Sequence, residues 1–359
     1  HPHRGDLRER EHLLHAYGLD DVDEIGGPRA SARLLSHMTT HWQEKGLWQA
    51  YQDDYAERFA NVPHVVRPSP LPLEDYADVY VGQRAADYLR AYDRDEPWFC
   101  WVSFGGPHEP WDTPAAYAGT HDPAEMPPAT PVPEWTADRP QGVLDAKLAD
   151  RPHLTPGDPP RLRADYAGKV HLIDEQIGAI LGVLEERGEL DNTVIAFSSD
   201  HGELNGDHGL LYKSCFLDGC LRVPMLVRTP EAAGGAAGGS VNKSWVEWID
   251  VGPTLAECAG AELDYQQFAR SLMPSVRDPA VPHREDAISE IDGEVCLVND
   301  QWKCAVNADG RVYLLFSRPD DPAEQNNLAG APGMDSVEKQ LRNRILERML
   351  QSQVDQRRR

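Results

Sequence analysis

Basic residues are scarce in this sequence, and long apolar runs are missing from it. Its 359 residues include 35 Lys and Arg against 59 Asp and Glu, which leaves a formal net charge of −24. An acidic surface of this kind repels phosphate backbones and anionic lipids, so we expect neither nucleic acids nor membranes as partners. No apolar run approaches the roughly 18 residues that a membrane-spanning helix needs. We therefore expect a soluble globular protein.

Closely spaced cysteine pairs are also missing. No Cys-x-x-Cys occurs, which argues against a zinc ribbon or a thioredoxin-type redox site. The pattern predicts buried or free thiols rather than a small disulfide scaffold. The six cysteines are scattered along the chain, at Cys100, Cys215, Cys220, Cys258, Cys296 and Cys304.

The amino terminus carries neither a Met nor an apolar targeting segment. The chain opens with His1-Pro2-His3-Arg4, whereas a secretory signal has a charged start followed by an apolar stretch. We expect a shortened chain, or one whose beginning is missing. The sequence therefore predicts neither the cellular compartment nor the oligomeric state.

Apolar patterning predicts alternating helices and strands. A hydrophobic content of 40% is enough to close a sizeable core. Helices are expected over 74–92 and over 166–188, where apolar residues recur at three- and four-residue steps. Short apolar runs at 98–104, 193–197 and 223–227 predict buried strands. Such alternation is typical of an α/β domain with a parallel sheet.

In such sheets ligands bind beyond the carboxyl ends of the strands. Two polar loops follow predicted strands in this way, at 107–110 and at 198–213. The first opens a long excursion, 107–160, which holds 13 of the 29 prolines and resembles the long segments that form functional loops. Aromatic residues of this excursion would either wall a ligand pocket or pack the loop onto the domain. They are Trp111, Tyr117 and Trp135.

The pattern changes towards the carboxyl end. Short apolar segments predict antiparallel strands at 295–298, 302–306 and 312–316. A final helix is expected over 336–351. We therefore divide the chain into a main α/β domain, 1–285, and a small antiparallel subdomain with a terminal helix, 286–359.

The densest polar cluster follows the second predicted strand, at 199–209. Asp200 and His201 offer a carboxylate and an imidazole, a pair that suits Ca²⁺, Mg²⁺ or Mn²⁺ better than a soft metal. Lys213 lies within reach along the chain, and its ammonium is a point charge suited to a sulfate or phosphate oxygen. A polar turn with a structural histidine is the alternative interpretation.

Five motifs follow one another along residues 75–330. They are a strand with Pro-His-x-Pro at 98–110, the helix of 166–188, the segment 199–224, Asp-x-x-Pro-Thr-Leu at 250–255, and a strand hairpin with a closing Asn-Leu at 301–328. On these motifs the chain resembles the sulfatase family of the alkaline phosphatase superfamily. The resemblance implies an α/β sandwich of the alkaline phosphatase type. Such a sandwich has a large, mostly parallel central sheet flanked by helices, and a small C-terminal antiparallel sheet with a helix.

The resemblance also implies roles for individual residues. Asp200 and His201 would be metal ligands for Ca²⁺, with Mg²⁺ or Mn²⁺ as alternatives. His108 would donate a hydrogen bond to the sulfate or to its leaving oxygen, and Lys213 would bridge the sulfate and the leaving group. The residues at 207–208 would shape the loop. The substrate would be a small-molecule or carbohydrate sulfate ester.

The nucleophile motif of that family does not occur in this sequence. Sulfatases carry a Cys- or Ser-x-Pro-x-Arg segment whose first residue becomes formylglycine, and no such segment is found here. Gly168-Lys169-Val170-His171 imitates the family's Gly-Lys-x-His element. Because it lies inside the helix predicted over 166–188, we set it aside as a decoy. The chain thus resembles a sulfatase without its first segment, and we expect it to be inactive alone.

Three functions remain open from the sequence. The leading prediction is a sulfuric ester hydrolase that uses formylglycine in the parent protein. A phosphonate monoester or phosphodiester hydrolase on the same scaffold is the nearest alternative. The third is a non-catalytic remnant that binds an anionic ligand or partner through Lys213 and His108.

Overall fold

The polypeptide is organised in two units, each made from two separate stretches of the chain. A computed structural model describes residues 5–138, 140–233, 238–263 and 268–351. Unit 1 comprises His1–Pro128 and Thr155–Leu190, and unit 2 comprises Ala129–Leu154 and Asp191–Arg359. The boundary predicted at residue 285 falls inside unit 2 and stays a prediction.

Helices and strands have the following bounds in the described residues. The helices are α1 (Glu11–Ala16), α2 (Pro28–Ser31), α3 (His37–Glu44), α4 (Trp48–Asn61), α5 (Ala77–Ala91), α6 (Val143–Ala149), α7 (Asp158–Glu186), α8 (Asp218–Leu221), α9 (Pro230–Ala233), α10 (Val251–Cys258), α11 (Met273–Arg277) and α12 (Asp335–Gln351). The strands are β1 (Ile195–Ser198), β2 (Met225–Arg228), β3 (Asp286–Ile291), β4 (Glu294–Asn299), β5 (Trp302–Val306) and β6 (Val312–Ser317). None of the helices so described is long and apolar enough to cross a bilayer.

Unit 1 is built around the packing of α5 against α7. The helix predicted over 166–188 is confirmed as α7, but it begins earlier, at Asp158. Pro159 and Pro160 fit this first turn because the missing N–H of a proline has no helical partner there anyway. The helix ends before Gly188, whose φ of +68° is the left-handed conformation expected of a C-terminal cap.

The prediction of a buried strand at 98–104 is wrong. The segment is extended, and alternate side chains face opposite ways, but it forms no strand ladder within the described residues. Trp98 and Phe104 pack against the α5–α7 core. Phe99 and Trp101 point outward and are 63% and 67% exposed. The α5–α7 core covers one face of the segment, and none of the described residues packs over Phe99 and Trp101 closely enough to bury them.

Unit 2 contains strands at the second and third apolar runs predicted from the sequence. The runs predicted at 193–197 and 223–227 correspond to β1 and β2, which pair antiparallel with Ile195 opposite Arg228. The expected large parallel sheet is therefore not formed by the described residues. Parallel neighbours need a crossover connection, usually a long helix, whereas the link from β1 to β2 is a loop with one short helix, α8.

The C-terminal antiparallel sheet is confirmed, with the strand order β3-β4-β5-β6. The sequence had predicted its last three strands and missed β3. One face of the sheet packs against a core that includes Phe216 and Leu217, and the opposite face packs against Leu341 and Ile345 of α12. The predicted terminal helix is thereby confirmed. All six cysteines are free, as expected.

Candidate functional site

In unit 1, His108 lies on a loop that begins at Gly105 and is held from below by α5. The peptide bonds Gly106-Pro107 and Glu109-Pro110 on either side of His108 are cis. Asp78 of α5 accepts a hydrogen bond from the backbone N–H of Gly106, at 2.8 Å. A Cβ atom on Gly106 would collide with the Asp78 carboxylate. Only glycine therefore lets the loop approach the helix this closely.

The imidazole of His108 is oriented by its neighbour. Its Nδ1 lies 2.9 Å from the backbone oxygen of Glu109 and 2.9 Å from the Glu109 carboxylate. Because a carbonyl oxygen only accepts, Nδ1–H donates to the backbone oxygen of Glu109, and this bond orients the ring. The sequence analysis missed Glu109, because nothing in Pro-His-x-Pro distinguishes a solvated carboxylate from one turned back onto the histidine.

A small cavity of about 20 Å³ borders the His108 loop inside unit 1. It has room for about one water molecule. His108 lines it together with the charged residues Asp78, Asp112 and Lys169. Burial raises the pKa of Asp78 above its ordinary value, despite the opposing hydrogen bond from Gly106.

In unit 2, Asp200 and His201 follow directly after β1. The Asp200 side chain is 76% exposed, and its Oδ1 accepts the backbone N–H of His201 at 2.8 Å. The His201 Nδ1 lies 2.9 Å from the carbonyl oxygen of Gly202, to which it donates. That hydrogen bond leaves Nε2 as the ligand nitrogen in the neutral ring, 3.5 Å from Asp200 Oδ2.

The segment after Asp200 and His201 is bonded to the segment that carries Lys213. Leu204 N–H donates to the carbonyl of Tyr212 at 3.1 Å, and Tyr212 N–H donates back to the Glu203 carboxylate at 2.5 Å. Lys213 comes next and is half-buried. Glu203 is thus a structural link that the sequence analysis did not single out, although it stands within the polar cluster.

A second contact closes the same loop at its base. Gly202 N–H donates to the carbonyl of Cys220 at 2.8 Å. A Cβ atom on Gly202 would strike the carbonyl oxygen of Gly219, which is backbone and cannot rotate away. The glycine that follows His201 is therefore required by this close approach.

Asp207 and His208 shape the loop, as predicted. The Asp207 carboxylate accepts the backbone N–H of Thr130 at 2.6 Å, and His208 N–H donates to the carbonyl of Thr130 at 2.9 Å. His208 is buried, and its Nε2 lies 3.2 Å from the carbonyl oxygen of Ala323. These side chains are engaged in holding backbone rather than facing a ligand.

The donor set at Asp200 and His201 fits part of a divalent-cation shell. An exposed carboxylate and an imidazole with a defined tautomer are suitable ligands, but hard cations take six or more in all. No group of three or more His, Cys, Asp and Glu side chains is arranged to hold a metal among the described residues. If a cation binds here, Asp200 and His201 would supply two of its ligands.

The aromatic residues of the proline-rich excursion are used for packing. Trp111 is 3% exposed. Trp135 contacts the Phe316 ring with centroids 5.6 Å apart, and its Nε1–H donates to the Glu324 carbonyl at 2.9 Å. Tyr117 donates its hydroxyl hydrogen to a carboxylate of α7. Of the two interpretations left open, packing accounts for these contacts.

The four predicted site residues are divided between the units. His108 belongs to unit 1, and Asp200, His201 and Lys213 belong to unit 2. Gly168-Lys169-Val170-His171 lies inside α7, as the sequence indicated, and Lys169 is 2% exposed.

Two family models match the chain. One, described as Sulfatase, matches residues 28–261, and another, described as N-sulphoglucosamine sulphohydrolase, C-terminal, matches residues 206–351. A multifunctional alkaline phosphatase superfamily protein from Trinickia caryophylli is 26% identical over 300 residues, covering 74% of this chain and 58% of that protein. A choline-sulfatase from Rhizobium meliloti (strain 1021) is 32% identical over 184 residues, covering 48% of this chain and 34% of that enzyme.

A solved structure confirms the fold class. The phosphonate monoester hydrolase from Silicibacter pomeroyi superposes with a TM-score of 0.74 at 22% identity, over 88% of this chain and 69% of that one. At this identity the likeness concerns the α/β fold alone. The chain spans 58% and 34% of the lengths of the two curated relatives above.

Proposed function

The chain belongs to the sulfatase family, and from this premise we propose that the protein hydrolyses sulfate esters. The observation that carries the proposal is the hydrogen-bonded pairing of two segments in unit 2. Leu204 bonds to Tyr212, and Gly202 bonds to Cys220. The pairing brings the segment with a carboxylate and an imidazole alongside the segment with the Lys213 ammonium. Cation ligands and a fixed positive charge are the groups that a sulfuryl transfer requires.

The proposed roles follow from where charge develops. In the transition state negative charge builds on the sulfuryl oxygens and on the leaving oxygen, and preorganised positive groups stabilise it. Lys213 contributes its ammonium to these oxygens. His108 donates a hydrogen bond to the sulfate or to the leaving oxygen, and the Glu109 carbonyl bound to its Nδ1 holds the ring in one orientation.

Asp200 and His201 would hold a divalent cation, which we propose to be Ca²⁺, with Mg²⁺ and Mn²⁺ as alternatives. A bound cation would supply Lewis-acid stabilisation to the sulfuryl oxygens. The exposed Asp200 carboxylate and the Nδ1–H bond of His201 prepare both ligands for a cation.

The family's formylglycine nucleophile has no counterpart motif in these 359 residues. We therefore expect these residues alone to show no turnover, and the experiments use the full gene product. The names of the relatives support two substrate classes. The choline-sulfatase supports a small-molecule sulfate ester, and the match to the C-terminal model of N-sulphoglucosamine sulphohydrolase supports a sulfated carbohydrate.

A second candidate is hydrolysis of phosphonate monoesters or phosphodiesters. Its support is the shared scaffold, since a phosphonate monoester hydrolase superposes on 88% of this chain. The two candidates use the same Lys213 and His108 and differ in the charge and geometry of the transferred group.

The test compares matched aryl esters of sulfate, phosphonate and phosphate as substrates for the full gene product. Replacing Lys213 by Met should lower kcat for the preferred substrate by about 10²–10³-fold, the usual cost of removing one group that stabilises transition-state charge. Lys339, an exposed lysine on α12, provides the matched control: Lys339→Met should leave the rate unchanged.

Substrate preference then separates the candidates. A higher kcat/KM for the aryl sulfate supports the sulfatase, and the reverse order supports the second candidate. If Lys213→Met keeps the parental kcat for all three esters, the role proposed for Lys213 is wrong.

A further inference from the structure

Lys169 is a buried charge that the proposed reaction does not use. It lies in the middle of α7, within the Gly-Lys-x-His stretch that was set aside as a decoy, and its side chain is 3% exposed. A buried ammonium is costly unless it is paired and hydrogen-bonded. Its partners therefore indicate what this lysine does.

All three partners of Lys169 lie on the loop that carries His108. The ammonium lies 2.7 Å from Asp112 Oδ1, 2.5 Å from the carbonyl oxygen of Pro110 and 3.2 Å from the carbonyl oxygen of His108 itself. A lysine has three N–H donors. All three N–H donors of Lys169 thus bind acceptors on one loop, between His108 and Asp112.

Other groups also bind this loop: Arg58 donates to the carbonyl oxygen of Trp111 at 3.2 Å, and two further contacts hold the ends. Asp78 of α5 binds Gly106 N–H at 2.8 Å. At the far end the Tyr76 hydroxyl donates to Asp112 at 3.0 Å. Lys169 binds the stretch from His108 to Asp112, from which the imidazole projects.

We propose that Lys169 is a positioning residue for His108. It fixes the carbonyl of His108 and that of Pro110, and so it fixes the backbone from which the imidazole extends towards the sulfate. This inference rests on the function proposed for His108. A displacement of a reacting group by about 1 Å can lower a rate by about 10²-fold.

The test is a double-mutant cycle in the full gene product, with an aryl sulfate as substrate. Lys169→Met should lower kcat by about 10²-fold and change KM little, because the group that it positions acts in the transition state. The double variant Lys169→Met/His108→Ala should be no slower than His108→Ala alone, since positioning is worthless once the imidazole is gone.

The control removes the charge of another buried side chain in unit 1, the carboxylate of Asp75. Asp75 has a side chain 1% exposed and is paired with Lys45 at 2.6 Å. Asp75→Asn should cost stability without lowering kcat. Hydrogen exchange provides a readout independent of activity: backbone amides of 106–113 should exchange faster in Lys169→Met than in Asp75→Asn.

Lys169→Arg keeps a positive charge beside Asp112 and serves if Lys169→Met does not fold. Its planar guanidinium cannot place donors on all three acceptors from one atom, so we expect an intermediate fall in kcat and faster exchange of 106–113.

The outcomes separate the two hypotheses. If the effects of Lys169→Met and His108→Ala multiply, Lys169 acts elsewhere and the positioning inference is overturned, while the role of His108 stands. If His108→Ala leaves kcat unchanged, the role proposed for His108 is wrong, and the inference falls with it. Parental kcat and parental exchange in a folded Lys169→Arg or Lys169→Met variant would overturn the inference directly.

Discussion

The buried Lys303 of β5 should be the most expensive single lysine to remove from unit 2. It is 0% exposed and forms ion pairs with Glu324 and with Asp218, the first residue of α8. Burial by itself lowers the pKa of Lys303, but Glu324 and Asp218 outweigh burial and raise the pKa above its ordinary value. The lysine is therefore charged at neutral pH and compensates two carboxylates.

Replacing Lys303 by Met removes the cation and leaves both carboxylates behind. The Glu324 side chain is 5% exposed and loses its cation, whereas Asp218 is 22% exposed and keeps Arg318 at 3.5 Å; the cost therefore arises mainly at Glu324. Breaking a buried pair by removing one partner costs about 3–5 kcal/mol. Since whole domains are stable by about 5–15 kcal/mol, we expect the loss to be a large fraction of the free energy of unfolding.

Urea unfolding of the full gene product, followed by tryptophan fluorescence and circular dichroism, measures this change. Lys339→Met, the same substitution at an exposed position, should stay within about 0.5 kcal/mol of the parent. The double variant Lys303→Met/Glu324→Gln should recover part of the loss, because one uncompensated charge is gone. A Lys303→Met protein within about 1 kcal/mol of the parent would refute the reasoning.

Two further predictions concern unit 1. Burial, opposed by the charge of Lys169, raises the pKa of Asp165 to about 6, so its contribution to stability is full below about pH 4 and is lost as the pH rises through 6. Asp165→Asn should remove up to about 3 kcal/mol of this pH-dependent decline in the free energy of unfolding. Thermal unfolding measured against pH tests this, and an unchanged slope would contradict the assignment. Gly106→Ala forces a methyl group against Asp78 and should cost about 1–3 kcal/mol and lower kcat. Gly105→Ala, whose Cβ would meet only Pro28 Cδ at 3.8 Å, should be nearly neutral in both the urea and the rate assays.

Local patterns predicted the elements whose signals lie within one stretch of sequence. The helix α7 was predicted from the spacing of its apolar residues. The strands β4, β5 and β6 were predicted from short apolar segments, and α12 was predicted after them. The strand β3 (Asp286–Ile291) has neither a continuous apolar run nor a polar-apolar alternation, so the sequence carried no strand signal there.

The buried face of α7 was only partly predicted. The expected apolar stripe included Val170, which is 47% exposed. The buried positions include Leu162, Asp165, Lys169 and Leu172, spaced three and four residues apart. Asp165 and Lys169 interrupt the apolar pattern on this buried face. The apolar residues alone therefore indicated a slightly different face of the helix. Asp165 binds Thr113, and Lys169 binds the His108 loop. Charged residues spaced with the buried positions of a helix therefore indicate contacts to a neighbouring loop.

Some residues of the candidate site were singled out from the sequence, and others were recognised only in the structure. Asp200, His201 and Lys213 lie in one stretch of polar sequence and were singled out by motif order, and their roles stay predictions. Glu109 and Glu203 act through side chains that turn back onto nearby backbone or ring atoms. Their direction depends on loop geometry, which no spacing rule in the sequence specifies.

The segment 98–104 shows most clearly what a sequence window leaves undetermined. Its apolar composition predicted a strand buried on both faces, yet Phe99 and Trp101 are exposed while Trp98 and Phe104 are packed. The burial of successive side chains alternates along the segment. This indicates an extended backbone, because only a period of two sends neighbouring side chains to opposite sides. Burial of the second face, and the ladder that would make the segment a strand, depend on residues far away in the chain. The apolar run of 98–104 therefore does not predict which of its faces is buried or which segments lie beside it.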